Sequence, residues 1–197
     1  MNRATRFSCA VCIICWAAVT AAQVKSDGKP ISYTFGDTYK VDYFDNVGAA
    51  NDGKLRLENG GTSRADLCAA IFVNDSVQEL SECCTCLVSL NGLRKLSVKN
   101  DLTANPLTGV QVTSGSIQVI SSAVSSSGGC PVFPSVIYPE AGIRAWATHV
   151  QDSGQVTEAP SQDAILSTSA FQYLENTCGV IQKIGAGHGL CTCGSGD

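Results

Sequence analysis

The chain has 197 residues, with 17 Asp and Glu against 13 Lys and Arg, a net charge of −4. That acidity, with no basic stripe and no interleaving of basic and aromatic residues, excludes nucleic acid and anionic membrane surfaces as expected partners. The length suits one domain able to bury a core without staples, so cross-links would add durability rather than make folding possible.

The chain opens with Arg3 and Arg6, then an apolar run from Phe7 to Thr20, then the small residues Val19-Thr20-Ala21-Ala22 before Gln23. Basic, apolar and small, in that order, is the pattern of a secretory signal peptide. The run is short for a membrane span, which needs about 20 residues. Residues 1–22 are therefore expected to be a signal peptide cut after Ala21 or Ala22, with an uncleaved anchor helix as the competing reading. No cysteine follows the small residues, which argues against lipid attachment there. Without this segment the chain loses Arg3 and Arg6 and carries 11 basic against 17 acidic residues, a net of −6. Residues 23–197 are expected to form a single secreted β-rich domain in the extracellular space or cell envelope. No later apolar stretch is long enough to span a bilayer.

Residues 23–30 read as a loose N-terminal arm. Ile31, Tyr33 and Phe35 share one parity, and Val41 and Tyr43 another, as in half-buried strands. Asp52-Gly53 is a turn signal, after which Leu55 and Leu57 alternate with Arg56 and Glu58. LCAAIFV (67–73) is continuously apolar and reads as a strand buried on both faces. ECCTCLVSL (82–90) is another strand, followed by Asn91-Gly92. Residues 92–110 suggest a short strand and then a loop around Asn105-Pro106. GSIQVIS (115–121) alternates weakly, the Ser/Gly-rich stretch up to Pro134 is a surface loop, and GIRAWATHV (142–150) alternates cleanly.

One segment departs from the β pattern. Phe171, Leu174, Cys178 and Ile181 recur at steps of three and four, one face of a helix. Ser167 or Ser169 can cap its start, with Ser169 and Gln172 as a candidate capping box, and Gly185 is a plausible stop. The expected fold is mainly β, an antiparallel β-sandwich or barrel-like domain with one C-terminal α-helix, stapled by disulfides. Residues 185–197 form a Gly/Cys-rich tail.

Eleven cysteines lose Cys9, Cys12 and Cys15 with the signal segment. The remaining eight are Cys68, Cys83, Cys84, Cys86, Cys130, Cys178, Cys191 and Cys193, an even number in an exported chain, which favours disulfides. A hairpin centred near Val77 would set Cys68 opposite Cys86, within bridging reach. Adjacent Cys83 and Cys84 point to opposite faces of a strand and need different partners. Cys178, on the apolar side of the helix, should find its partner beneath it. Cys191 and Cys193 should tie the tail back to the 83–86 cluster. The pairings as a set stay open at this level.

Two sharper chemistries compete with staples. Cys84 and Cys86, with Cys191 and Cys193, form two same-face pairs that could hold a soft ion such as Zn²⁺ or Cu⁺, with His188 as a further ligand. The one-residue spacing is not that of common zinc modules. Cys83 and Cys86 have thioredoxin-like spacing, but the next residues, Leu87-Val88-Ser89-Leu90, are β-like rather than helical. His188 could also serve as a base for a thiol; the blander reading is a flexible tail residue. His149 belongs at the exposed or half-exposed end of its strand. Gly185-x-Gly187-x-Gly189 comes after a helix rather than opening one, so it reads as helix unwinding and not as a phosphate loop. The acids between Asp37 and Asp52 lack the alternation of a calcium loop. Asn74-Asp75-Ser76 is a glycosylation sequon.

The stretches 67–98, 101–110 and 144–151, with the GLCTC end, resemble a group of secreted, cysteine-containing bacterial proteins with no established activity. The resemblance implies one structural unit and carries over no catalytic residue and no cofactor. The leading expectation is a non-catalytic structural, surface or binding protein, through self-association or an extracellular ligand. A metal-binding protein and, more weakly, a secreted hydrolase are the alternatives.

Overall fold

The structure is a computed structural model that describes residues 37–45, 52–130, 137–150 and 153–194. The expected signal peptide, the N-terminal arm and the Ile31-Tyr33-Phe35 alternation lie outside the described residues.

Among the described residues there are nine strands: β1 (Tyr39–Asp45), β2 (Lys54–Asn59), β3 (Leu67–Asp75), β4 (Leu80–Val88), β5 (Leu93–Ser97), β6 (Ser114–Ala123), β7 (Ile143–Val150), β8 (Val156–Pro160) and β9 (Gln162–Asp163). They form two sheets, ordered β4-β3-β6-β1-β9 and β5-β2-β7-β8. All strand pairs are antiparallel. The sheets face each other without closing into a barrel. Helix α1 (Thr168–Ile184) lies on the outer face of the five-stranded sheet.

That layering explains the continuous apolar run in β3. Ala69, Ile71 and Val73 face the second sheet, where they meet Leu55, Leu57, Leu96 and Ile143. Ala70 and Phe72 point the other way, to Leu174, Cys178 and Ile181 of α1. A strand covered on both faces has no side to leave polar. In contrast, β2 alternates buried and half-buried residues, because its sheet is covered on one face. Each fully buried Leu, Ile or Phe contributes on the order of 2 kcal/mol by leaving water.

The helix forms where the spacing places it. Ser167 Oγ accepts from the Ala170 N–H at 3.1 Å and caps the start. Ser169 lies inside the helix, so the Ser169–Gln172 capping box does not form. Gly185 is the C-terminal cap with right-handed φ, and the left-handed conformation falls on Ala186 (φ 51°).

Several elements depart from expectation. The Asn91-Gly92 turn carries the chain from β4 in one sheet to β5 in the other, with Gly92 N–H donating to Ser89 O at 2.8 Å. A π-helical turn at Val98–Leu102 comes after β5, with Ser97 Oγ accepting from the Asn100 N–H. Strands β8 and β9 had no reading in the sequence. Among the described residues, no helix is long and apolar enough to cross a membrane.

The predicted hairpin between β3 and β4 is present, but its register is not the expected one. Asn74 pairs with Leu80, as a centre at residue 77 requires. An irregularity between Val73 and Asn74 then shifts the ladder, so that Ala69 faces Cys86 and Cys68 faces Leu87. Ser81, the residue inserted there, turns its Oγ to Val73 O at 3.0 Å. A one-residue slip moves a side chain to the other face of a sheet. Cys68 and Cys86 therefore point away from each other, and the expected Cys68–Cys86 bridge is wrong.

Candidate functional site

The eight cysteines form four disulfides: Cys68–Cys130, Cys83–Cys178, Cys84–Cys191 and Cys86–Cys193. Their directions follow from the pleat of β4. Cys83 faces outward and joins α1 through Cys178, beneath the apolar face of the helix as expected. Cys84 and Cys86 face the inter-sheet core and join the tail. Adjacent cysteines thus take different partners because neighbouring side chains leave a strand on opposite sides.

The tail does more than supply two sulfurs. β4 is the outermost strand of its sheet, and its free edge is a row of unpaired backbone groups. Residues 189–191 run parallel to it. Cys83 N–H donates to Gly189 O at 2.9 Å, Cys191 N–H donates to Cys83 O at 3.3 Å, and Leu190 bridges Cys83. Gly189 has φ +81°, and a Cβ there would stand 2.4 Å from the Ile181 side chain, so the close approach requires glycine. Arg94 of β5 reaches across, its Nε donating to Leu87 O at 2.9 Å and a terminal nitrogen to Cys193 O at 2.7 Å. Thr192 N–H donates to Asp101 O at 2.8 Å. The tail therefore fills the opening between β4 and β5 and ties both sheets together.

Beneath it lies Glu82, fully buried on the inter-sheet side of β4. One oxygen accepts from the Asn105 N–H at 2.8 Å, and the other has no partner. Burial pushes its pKa up to about 7, against the opposing effect of the Asn105 N–H. Asn105 also donates to Gly187 O at 2.6 Å and accepts from the Gly189 N–H at 2.7 Å. A protonable carboxyl thus sits one residue from the tail contacts. No spacing rule singles out Glu82 in the sequence.

The opposite side of the sandwich is polar. His149 Nε2 lies 3.3 Å from Asp42 Oδ1, and Ser161 Oγ donates to Asp42 Oδ2 at 2.8 Å. The His149 ring stacks on Tyr43 with centroids 4.1 Å apart, and its Nδ1 is buried without a partner. Ser, His and Asp meet here in the wrong order for nucleophilic catalysis. A triad needs histidine between the hydroxyl and the acid, to take the proton from the nucleophile. Here the acid stands between the other two, which makes the group a tie across the corner where the chain passes from β8 to β9. Lys40 reinforces it with ion pairs to Asp37 and Asp163.

The other sequence candidates separate. His188 is exposed on the turn after α1, its backbone N–H on Gly185 O at 2.8 Å. The four sulfurs considered for a soft metal are brought together, but each is bonded to another sulfur, so the thiolates that such an ion needs are not free. The 83/86 spacing likewise yields two separate bridges rather than a dithiol couple. Of the acids weighed for calcium, Asp42 ties the corner and Asp52 accepts from Ser97, Lys99 and Lys54. Asn74 of the sequon is 5 % exposed within β3, which leaves no room for a covalently linked glycan chain on its side-chain nitrogen in the folded chain. Compared with known proteins, the chain matches no family model, no curated protein and no solved structure.

Proposed function

We propose that this chain is an exported, non-catalytic module: a structural, surface or binding domain that works outside the cytoplasm and gains its durability from disulfides. The observation that carries the reading is the sulfur arrangement. All eight cysteines from Cys68 onward join distant parts of the backbone, and two of the bridges hold the tail over an otherwise open strand edge. Bridges of this kind persist in oxidising compartments and are rare where glutathione keeps thiols reduced. The reading includes removal of residues 1–22 during export and membership of the secreted bacterial group that the sequence resembles. Its non-catalytic part is supported by the order of the Ser161, Asp42 and His149 contacts, which leaves no activated nucleophile there.

Alkylation before and after reduction, read by mass spectrometry on exported protein, tests it. Blocking of all eight cysteines until reductant is added is the expected result. Four alkylatable thiols accompanied by a stoichiometric metal ion would replace this reading with metal binding. Recovery of the chain from the cytoplasm alone, with its N-terminal segment intact, would overturn export.

A further inference from the structure

A cleft of about 230 Å³ opens between the first turns of α1 and the outer face of the five-stranded sheet. Tyr39, Asn74, Gln78, Ser116, Gln118 and Tyr173 supply its polar and aromatic lining, and no lining side chain is charged. Three features set it apart from an ordinary surface groove. Asn74 is 5 % exposed and its Nδ2 has no hydrogen-bond partner, although a buried amide without one carries a cost of about 1–3 kcal/mol. Gln78, on the β3–β4 turn, holds a left-handed φ of 69°, which a non-glycine residue rarely adopts. Tyr39, itself buried, donates its hydroxyl to Gln118 Oε1 at 2.8 Å and so orients that amide. Buried orphan groups and backbone strain gather where a ligand completes the structure.

Gly115 precedes the lining residue Ser116 in β6. A Cβ there would meet Asn74 O at 1.9 Å, so only glycine lets β6 approach β3 this closely beside the cleft. At the rim, Tyr173 is 53 % exposed and offers a flat aromatic face beside the amides.

We propose that this cleft binds a neutral, hydroxyl-bearing ring of monosaccharide size, a pyranose unit of a glycan. Amide and hydroxyl groups match the alternating donors and acceptors of a sugar, and the tyrosine ring matches its apolar face. The uncharged lining disfavours phosphates, carboxylates and ammonium groups, which need a counter-charge when they leave water. The volume falls below the roughly 300–1,000 Å³ of drug-sized sites, as a single ring requires. The proposal deepens the binding-module reading and rests on it.

Saturation-transfer NMR tests it on the whole exported protein, with methyl glycosides of neutral hexoses and N-acetylhexosamines and their disaccharides. Transfer to at least one sugar is expected. Tyr173→Ala should weaken that binding on the order of tenfold, the loss of one stacking face, and Asn74→Leu should abolish it. Tyr138→Ala removes another exposed tyrosine and should change nothing. No transfer to any sugar, or equal loss with Tyr138→Ala, overturns the site while leaving the thiol count as a separate test of the wider reading. Binding with cleavage of a disaccharide in the tube supports the site and overturns the non-catalytic part of that reading.

Discussion

The two sides of the sandwich are closed by different chemistry. On the β4/β5 side, two disulfides, a parallel run of backbone hydrogen bonds and the Arg94 clamp hold the tail in place. On the β1/β7 side the chain turns the corner at Ser161, secured by Asp42, His149, Lys40 and Asp163 without a covalent link. The difference arises from the span that each side must hold. β8 and β9 are short strands with continuous backbone between them, so the corner closes a local step. The tail must be brought back over a sequence separation of 107 residues, and the conformational entropy of that closure is where a cross-link contributes most in the chain-entropy model.

The largest effect should come from removing both tail bridges. Cys84→Ser, Cys86→Ser, Cys191→Ser and Cys193→Ser together are expected to cost about 4 kcal/mol, or on the order of 10 °C in Tm. Either bridge removed alone should cost much less than half of that. Once one is closed, the other spans only the few residues between them. Urea titration of the three variants measures this. Equal and additive losses would mean that the bridges constrain the chain independently.

Acid and base should act on the two sides with opposite sign. Glu82 has a folded-state pKa raised from 4.5 to about 7. The folded protein therefore holds a proton that the unfolded chain releases, and stability falls as pH rises between those values. Glu82→Gln should be more stable than the parent by about 2 kcal/mol at pH 8, with the gap closing near pH 4. At the corner, the Lys40 ammonium holds the Asp163 carboxyl below the usual carboxylate range. Its contribution is present above the unfolded value and is lost as pH falls through the folded one. Amide protection of Ala164, bonded to Tyr39 O, should drop on acidification while that of Gly189 rises relative to pH 8. Both sides moving together would contradict the assignment.

Smaller effects sharpen the picture. Asp42→Asn removes the charge that His149 and Ser161 share and should cost about 1 kcal/mol, with no change in disulfide content. Ser167→Ala should cost a similar amount, about 1 kcal/mol, through the lost helix cap. Thermal unfolding resolves both. A neutral result at Asp42 would mean that packing alone closes the corner.

Much of the scaffold was legible because it depends on local periodicity. The double-sided burial of β3, the alternation in β7, the face of α1 carrying Cys178 and the opposite directions of Cys83 and Cys84 are all consequences of side-chain direction along regular backbone. Strands β8 and β9 carry no apolar pattern in the sequence because their residues are largely exposed. The pairing expected for Cys68 failed for a different reason. The insertion of Ser81 is invisible to periodicity, yet it exchanges the faces of every residue beyond it.

What sequence alone determined here is the class of the molecule, a β-rich chain with one late helix and cysteines placed to tie the tail to β4. Only the tertiary structure decided which sulfur meets which, that the tail covers an edge, that Glu82 is sealed beneath it, and that Asn74 and Tyr39 meet at one cleft. These depend on register and on contacts between residues far apart in the chain. Such contacts are selected by the packing of whole layers, and the spacing of neighbours along the backbone carries no record of that choice.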